Sequence, residues 1–173
     1  MKRKEIKTER LTLGPITERD RAEMKAILTD AEVSKTYMIP EFHSEEEVEE
    51  LFARYCRLSA SERFVYGVFL KEKLIGFIHE TSVEDGEIEL GYVISPSEKG
   101  KGYATEALRA AIDVLFEDGF RVVKAGAFEE NGASLRVMDK AGMQKTGETE
   151  EIEYRGKKRR CLFCAVENGW SKS

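Results

Sequence analysis

Ser95-Pro96-Ser97-Glu98-Lys99-Gly100-Lys101-Gly102-Tyr103-Ala104-Thr105-Glu106-Ala107 links two segments of different periodicity. Before it lies Glu87 to Ile94, which alternates and then turns apolar, the pattern of a strand. After it, Ala104, Ala107, Leu108, Ala111, Ile112 and Leu115 recur at helical spacing, with Glu106, Arg109, Asp113 and Glu117 on the opposite stripe. The stretch therefore reads as a glycine-rich strand-to-helix turn carrying two lysines. Such a turn presents free backbone N–H groups and the positive end of the helix dipole. Glycine lets those groups curl around an anion with no β-carbon in the way. The physical expectation is a phosphate or pyrophosphate site.

Working back from the turn, Phe64 to Leu70, Leu74 to Thr81 and Glu87 to Ile94 read as a three-stranded antiparallel meander. Its turns are Lys71-Glu72-Lys73 and Glu84-Asp85-Gly86, and it ends at Pro96. Earlier still, Arg10 to Ile16 alternates as a first strand, and Thr17 caps a helix with Asp20 at its third position. Ala31 to His43 reads as irregular. Ser44-Glu45-Glu46-Glu47 is a capping box opening a second helix on which Val48, Leu51, Phe52 and Tyr55 share a face. Beyond the turn, Arg121 to Phe128 is another strand. Asn131-Gly132-Ala133-Ser134 opens a short helix that Gly142 ends. Met143 to Tyr154 and Arg159 to Glu167 form a closing hairpin around Arg155-Gly156-Lys157. The order β-α-α-β-β-β-α-β-α-β-β gives the α+β (mixed α/β) class, with a single domain over residues 1–173.

A chain of 173 residues suits one domain with its own core. Its net charge of −5 argues against a general nucleic-acid binder. No apolar run approaches the roughly 20 residues of a membrane span, and Met1 to Glu5 lacks the apolar core of a signal peptide. The expected location is the cytoplasm, with no membrane partner. Cys56, Cys161 and Cys164 read as free thiols. Cys161 and Cys164 have CxxC spacing but lie in a strand-like run, where residues three apart face opposite sides. His43 and His79 are too few and scattered for a metal site, so none is expected.

Three readings compete for the turn. The first is a connection whose glycines merely allow tight geometry. The second is a dinucleotide fold, which fits poorly: Gly100-x-Gly102-x-x-Thr105 lacks the third glycine and follows a meander rather than opening a βαβ unit. A P-loop is excluded because no Gly-Lys-Ser/Thr follows at the required spacing. The third rests on likeness. The span Glu87 to Met143 resembles the GCN5-related N-acetyltransferases (GNAT superfamily), whose Gln/Arg-x-x-Gly-x-Gly/Ala signature appears as Lys99-Gly100-Lys101-Gly102-Tyr103-Ala104. The string Gly-Lys-Gly-Tyr-Ala-Thr-Glu-Ala is similar to the branch of ribosomal-protein-alanine and spermidine acetyltransferases. The Arg10-Leu11-Thr12-Leu13 opening, Asn131-x-x-Ser134 and Lys140-Ala141-Gly142-Met143 match as well. Lys99 stands where Gln or Arg is usual, and Met143 where Phe is commoner. Lysine keeps a positive charge beside a diphosphate but lacks the fork of arginine, so the backbone amides carry most of the binding.

This resemblance implies a single GNAT-like domain whose mostly antiparallel sheet is splayed between its fourth and fifth strands, with helices on both faces. It implies acetyl-CoA as donor, a primary amine as acceptor and direct attack in a ternary complex. The pantetheine arm would pair with backbone groups near Tyr92, Val93 and Ile94, one of which polarises the thioester carbonyl. The diphosphate would sit on the amides of Lys99, Gly100, Lys101, Gly102, Tyr103, Ala104 and Thr105. The acceptor ammonium must lose a proton before attack, and Glu89 is the candidate base, with Glu87 as local competitor. Both could equally be solvent-facing strand residues. Ser134 matches a serine assigned to protonate the leaving thiolate, and Asn131 would hold the pantetheine. The pair could also be plain helix N-caps.

The acceptor is the least determined part: a protein N-terminus, a polyamine or another small amine. In the family the first two helices and their loop wall the acceptor site. Here they carry Tyr37, Phe42 and the run Glu45-Glu46-Glu47 with Glu49-Glu50, which reads either as an attractor of polycations or as a solvated face. Members of the family are often dimers, which makes a homodimer an expectation from likeness alone. The rival functions are a non-catalytic CoA-binding or sensing module and a nucleotide-binding protein. Glu89, Asn131 and Ser134 favour an enzyme, because a pure binder needs none of them.

Overall fold

A computed structural model describes residues 3–169. The described residues open with β1 (Ile6–Lys7), β2 (Leu11–Gly14), α1 (Arg21–Leu28), α2 (Ala31–Thr36), α3 (Glu45–Ser59), β3 (Val65–Leu70) and β4 (Lys73–Glu84). They continue with β5 (Glu87–Ile94), α4 (Tyr103–Glu117), β6 (Val122–Phe128), α5 (Gly132–Lys140), β7 (Gln144–Tyr154) and β8 (Lys157–Glu167). The class is α+β with mixed strand pairing. One strand, β1, was not expected, so the anticipated fourth and fifth strands are β5 and β6.

By its contacts the chain divides into two compact units. The first holds the residues up to His79 with Tyr92–Tyr103; the second holds Glu80–Gly91 with the residues from Ala104 on. In the first unit β1, β2, β3 and the start of β4 pair antiparallel in sequence order. Their core comprises Ile16, Met24, Ile27, Leu28, Val33, Ile39, Phe52, Leu74, Phe77 and Val93. In the second unit β5 pairs parallel with β6 over four rungs, Glu87–Val122 to Leu90–Ala125, and β6 then runs on to Phe128 against β8. The hairpin β7–β8 completes the unit. The inner face of α4, Ala107, Leu108, Ala111, Ile112 and Leu115, is buried at the spacing read from the sequence.

The helix starts follow from side-chain caps. The carboxylate of Asp20 accepts the Thr17 N–H at 2.9 Å in a 3-10 turn that leads into α1. Ala31 to His43 is not irregular throughout, as the sequence suggested. Asp30 accepts the N–H groups of Glu32 and Val33 and so starts α2, a short helix that buries Val33 and ends where Tyr37 becomes extended. Ser44 caps α3 by accepting the Glu47 N–H at 3.3 Å, but the Glu47 carboxylate accepts the His43 N–H at 2.7 Å instead of closing the box on Ser44. The turn between β4 and β5 has positive φ at Asp85 (50°) and Gly86 (78°), as a tight hairpin requires. All three cysteines are free thiols, and Cys161 and Cys164 are buried.

One close approach fixes how β4 meets the end of β5 within the first unit. A β-carbon on Gly76 would lie 2.1 Å from the carbonyl oxygen of Val93 and 2.9 Å from Ile94 Cδ1. Backbone cannot yield as a flexible side chain can. Gly76→Ala is therefore expected to destabilise the fold by about 1–3 kcal/mol through overpacking. Urea unfolding should show the loss as a lower midpoint with unchanged slope.

Candidate active site

The chain leaves β5 at Ile94, and Ser95 donates its N–H to the Ile75 carbonyl at 2.7 Å. Pro96 opens a 3-10 turn that ends at Glu98, and Lys99 is extended (φ −67°, ψ 154°). Gly100 and Gly102 then take φ of +77° and +84°, in the left-handed region, before α4 begins at Tyr103. A β-carbon at Gly100 would touch nothing within 4 Å, so the backbone angle alone calls for glycine there. The first N–H groups of α4 have no carbonyl one turn back to bond, and they begin where the glycines curl the chain. The turn has the backbone chemistry of an anion cradle.

A side chain from outside the turn braces it. Arg10 donates from Nη1 to the Lys101 carbonyl at 2.8 Å, and its guanidinium lies 4.5 Å from the centre of the Tyr103 ring. The contact crosses 91 positions of sequence. In the sequence Arg10 shows only as part of a strand-opening motif, because a single arginine before a strand carries no spacing signal. The two lysines of the turn differ. Lys101 is bound to Glu98 at 3.0 Å, and that hydrogen bond raises its pKa. Lys99 is exposed. Of the strand residues singled out before the turn, Val93 is buried in the core of the first unit, while Tyr92 and Ile94 are half-buried.

In the second unit Glu87 and Glu89 line an open cleft of about 540 Å³. Ser82, Glu84 and Asp85 border it from β4 and the hairpin turn, Lys124 from β6, Glu148, Thr149 and Glu150 from β7, and Phe163 from β8. Next to these residues β7 has an irregularity that no sequence pattern announced. Between Lys145 and Thr149, β7 advances four residues while β8 advances two, from Cys164 to Leu162. Gly147 at φ +84° allows the bulge. The two candidate carboxylates differ in state. Burial pushes the Glu89 carboxyl up, against the lowering hydrogen bond from Thr81, and the charge of Glu150 adds to the rise. Glu87 is bonded to the Lys124 ammonium at 2.5 Å, and that hydrogen bond holds its pKa below the usual value.

Asn131 is the N-cap of α5, and its Oδ1 accepts the Ser134 N–H at 3.2 Å. Both are half-buried. Ala104 and Thr105 lie in the first turn of α4 and belong, with Glu89, Asn131 and Ser134, to the second unit. Tyr92 to Ile94 and Lys99 to Tyr103 belong to the first. Also in the first unit, the residues expected to wall an acceptor are largely engaged internally. The Tyr37 hydroxyl bonds His79 Nε2 among the rings of Tyr55 and Phe77, and burial raises the Tyr37 pKa well above its ordinary value. Glu49 pairs with Lys25 at 2.6 Å and with Arg21, and Glu45 also pairs with Lys25. The acidic face of α3 is thus partly neutralised by α1. Among the described residues no group of three or more His, Cys, Asp or Glu could hold a metal ion, and no helix is long and apolar enough to cross a membrane.

Known proteins share the fold in which this turn sits. Residues 10–144 match the acetyltransferase (GNAT) domain. A probable N-acetyltransferase of Bacillus subtilis (strain 168), YjcK, is 32% identical over 97 residues, which cover 53% of this chain and 54% of YjcK, about half its length. An uncharacterized N-acetyltransferase of the same organism, YoaA, is 28% identical over 155 residues, covering 86% of this chain and 88% of the relative. A solved structure of RimL, a ribosomal L7/L12 alpha-N-protein acetyltransferase in complex with coenzyme A, superposes with a TM-score of 0.81 at 18% identity, over 95% of this chain and 98% of that one. The chain belongs to the acetyltransferase (GNAT) family, enzymes that use acetyl-CoA as co-substrate.

Proposed function

We propose that this protein moves an acetyl group from acetyl-CoA to a primary amine by direct attack of the amine in a ternary complex. The observation that carries the reading is the turn before α4, where two left-handed glycines and the Arg10 anchor shape an anion cradle. The family match runs from residue 10 to residue 144 and so includes residues of both units, which supports treating the chain as one acetyltransferase domain. When bound, acetyl-CoA supplies an acetyl thioester and a diphosphate handle. The amides from Lys99 to Thr105 hold the handle. Backbone groups of Tyr92, Val93 and Ile94 hold the pantetheine arm, and one of their N–H groups donates to the thioester carbonyl. Asn131 orients the arm, and Ser134 passes a proton to the departing sulfur and takes one back from the attacking nitrogen as the amide forms.

Glu89 takes the proton from the acceptor ammonium. Its raised pKa suits a base better than the depressed pKa of Glu87, which an ion pair keeps anionic. The acceptor is a cationic amine. The cleft around Glu89 carries six carboxylates, Glu84, Asp85, Glu87, Glu89, Glu148 and Glu150, against the single ammonium of Lys124. A field of that sign concentrates ammonium groups and repels anions.

A thermal-shift panel tests the donor. Coenzyme A and acetyl-CoA should raise the melting temperature while ATP and NAD leave it unchanged; no shift with coenzyme A overturns the reading. Arg10→Ala should raise KM for acetyl-CoA about fivefold, the loss of roughly 1 kcal/mol of hydrogen bonding that shapes the turn, with kcat nearly intact. Glu89→Gln should lower kcat by about 10²-fold near neutral pH and by less at high pH, where more of the amine is already uncharged. In the unmodified enzyme Glu89 must be deprotonated to work. The rate should therefore rise with pH through a limb above the ordinary glutamate range near about 4.3, and Glu89→Gln should remove that limb.

A further inference from the structure

We propose that Glu87 is a positioning residue: its ion pair with Lys124 holds that ammonium off the Glu89 carboxylate, so that Glu89 stays available to accept a proton. The proposal rests on the reading of Glu89 as the base and explains why two carboxylates stand two residues apart on β5.

The argument starts from register. In the parallel ladder Glu87 is opposite Val122 and Glu89 is opposite Lys124. Lateral neighbours in a sheet project to the same face, and residues two apart on a strand share that face. Lys124 is therefore the direct cross-strand neighbour of Glu89 and only the diagonal neighbour of Glu87. Opposite charges on directly facing positions attract, so position alone would pair Lys124 with Glu89. The structure has the diagonal pair instead, with Lys124 Nζ 2.5 Å from Glu87 Oε2. The Thr81 hydroxyl donates to the Glu89 main-chain carbonyl at 3.3 Å, and Ser82 lines the same cleft as Glu89.

The difference matters for chemistry. An ammonium in contact with a carboxylate lowers its proton affinity and occupies the lone pairs that an incoming amine proton needs. Glu87 takes both penalties, and its pKa is lowered first by the hydrogen bond to Lys124. It is thereby unfitted as a base and suited to anchoring the lysine. Other charges act here too. Glu84 and Asp85 face the cleft from β4 and the turn, Arg121 lies near Glu87, Glu148 acts on Lys124, and Glu150 acts on Glu89. Besides Glu89, Glu148 also acts on Lys124 and could anchor it.

The test is a double-mutant cycle read by carbon-13 NMR titration of the Glu89 side-chain carboxyl in the protein without acetyl-CoA, with Glu89→Gln assigning the resonance. Lys124→Met removes the ammonium in the wild-type and in the Glu87→Gln backgrounds. If Glu87 holds the lysine away, Lys124→Met raises the Glu89 midpoint slightly in the wild type and clearly more in the Glu87→Gln background. Equal rises in both backgrounds overturn the proposal, because simple charge deletion is additive. That includes the case in which the released lysine turns to Glu148. The acid limb of kcat/KM should follow the same pattern, moving to lower pH in Glu87→Gln and back up in Glu87→Gln/Lys124→Met. The two layers fail separately. Full activity in Glu89→Gln removes Glu89 as base whatever the titrations show. An additive cycle with an inactive Glu89→Gln removes only the role given to Glu87.

Discussion

Two backbone angles, φ of +77° at Gly100 and +84° at Gly102, turn the chain from β5 into α4. A residue with a β-carbon pays steric energy in that region, roughly 1–2 kcal/mol, so the turn depends on glycine at both positions. What the angles achieve is an orientation of amides. Helix α4 would end its hydrogen-bond ladder at Tyr103 with its leading N–H groups unspent whatever preceded it. The left-handed steps add the amides before the helix to that set and curl them together. Arg10 then ties the carbonyl of Lys101 and covers Tyr103, so the turn is also braced by a residue just before β2.

A second constraint is electrostatic and belongs to the other unit. Six carboxylates around one cleft would be costly if all were equivalent. Their environments separate them. Glu87 keeps its charge through Lys124, while Glu89 is pushed by burial and by Glu150 toward holding a proton more readily. Neighbouring acids with divergent proton affinities are what proton-transfer chemistry needs. Glu148 lies in the β7 bulge and Glu150 just beyond it, and both line the same cleft.

The strands and helices were largely legible, for reasons that differ from element to element. The buried face of α4 could be read from alanine and leucine spacing, and β5 from its alternation and its bounding turns. The turn at Asp85-Gly86 could be read because few residues tolerate its positive φ. Two elements escaped. Helix α2 has a single buried side chain, Val33, so it shows no periodicity, and its start depends on a cap at Asp30. Strand β1 has two residues and leaves no pattern at all.

The sequence alone established the family resemblance, the glycine turn and the presence of carboxylates on β5, because each is carried by residue types at short, fixed spacing. Spacing along β5 could not separate Glu87 from Glu89, since both lie on one strand face and only pairing with β6 brings up Lys124, which bonds Glu87. Nor could the sequence join Arg10 to the turn it meets across 91 residues, or enlist Glu148 and Glu150, which come from a different strand. Local chemistry follows from neighbours in the chain. Proton affinity and the bracing of a turn follow from neighbours in space, and those exist only once the strands have paired.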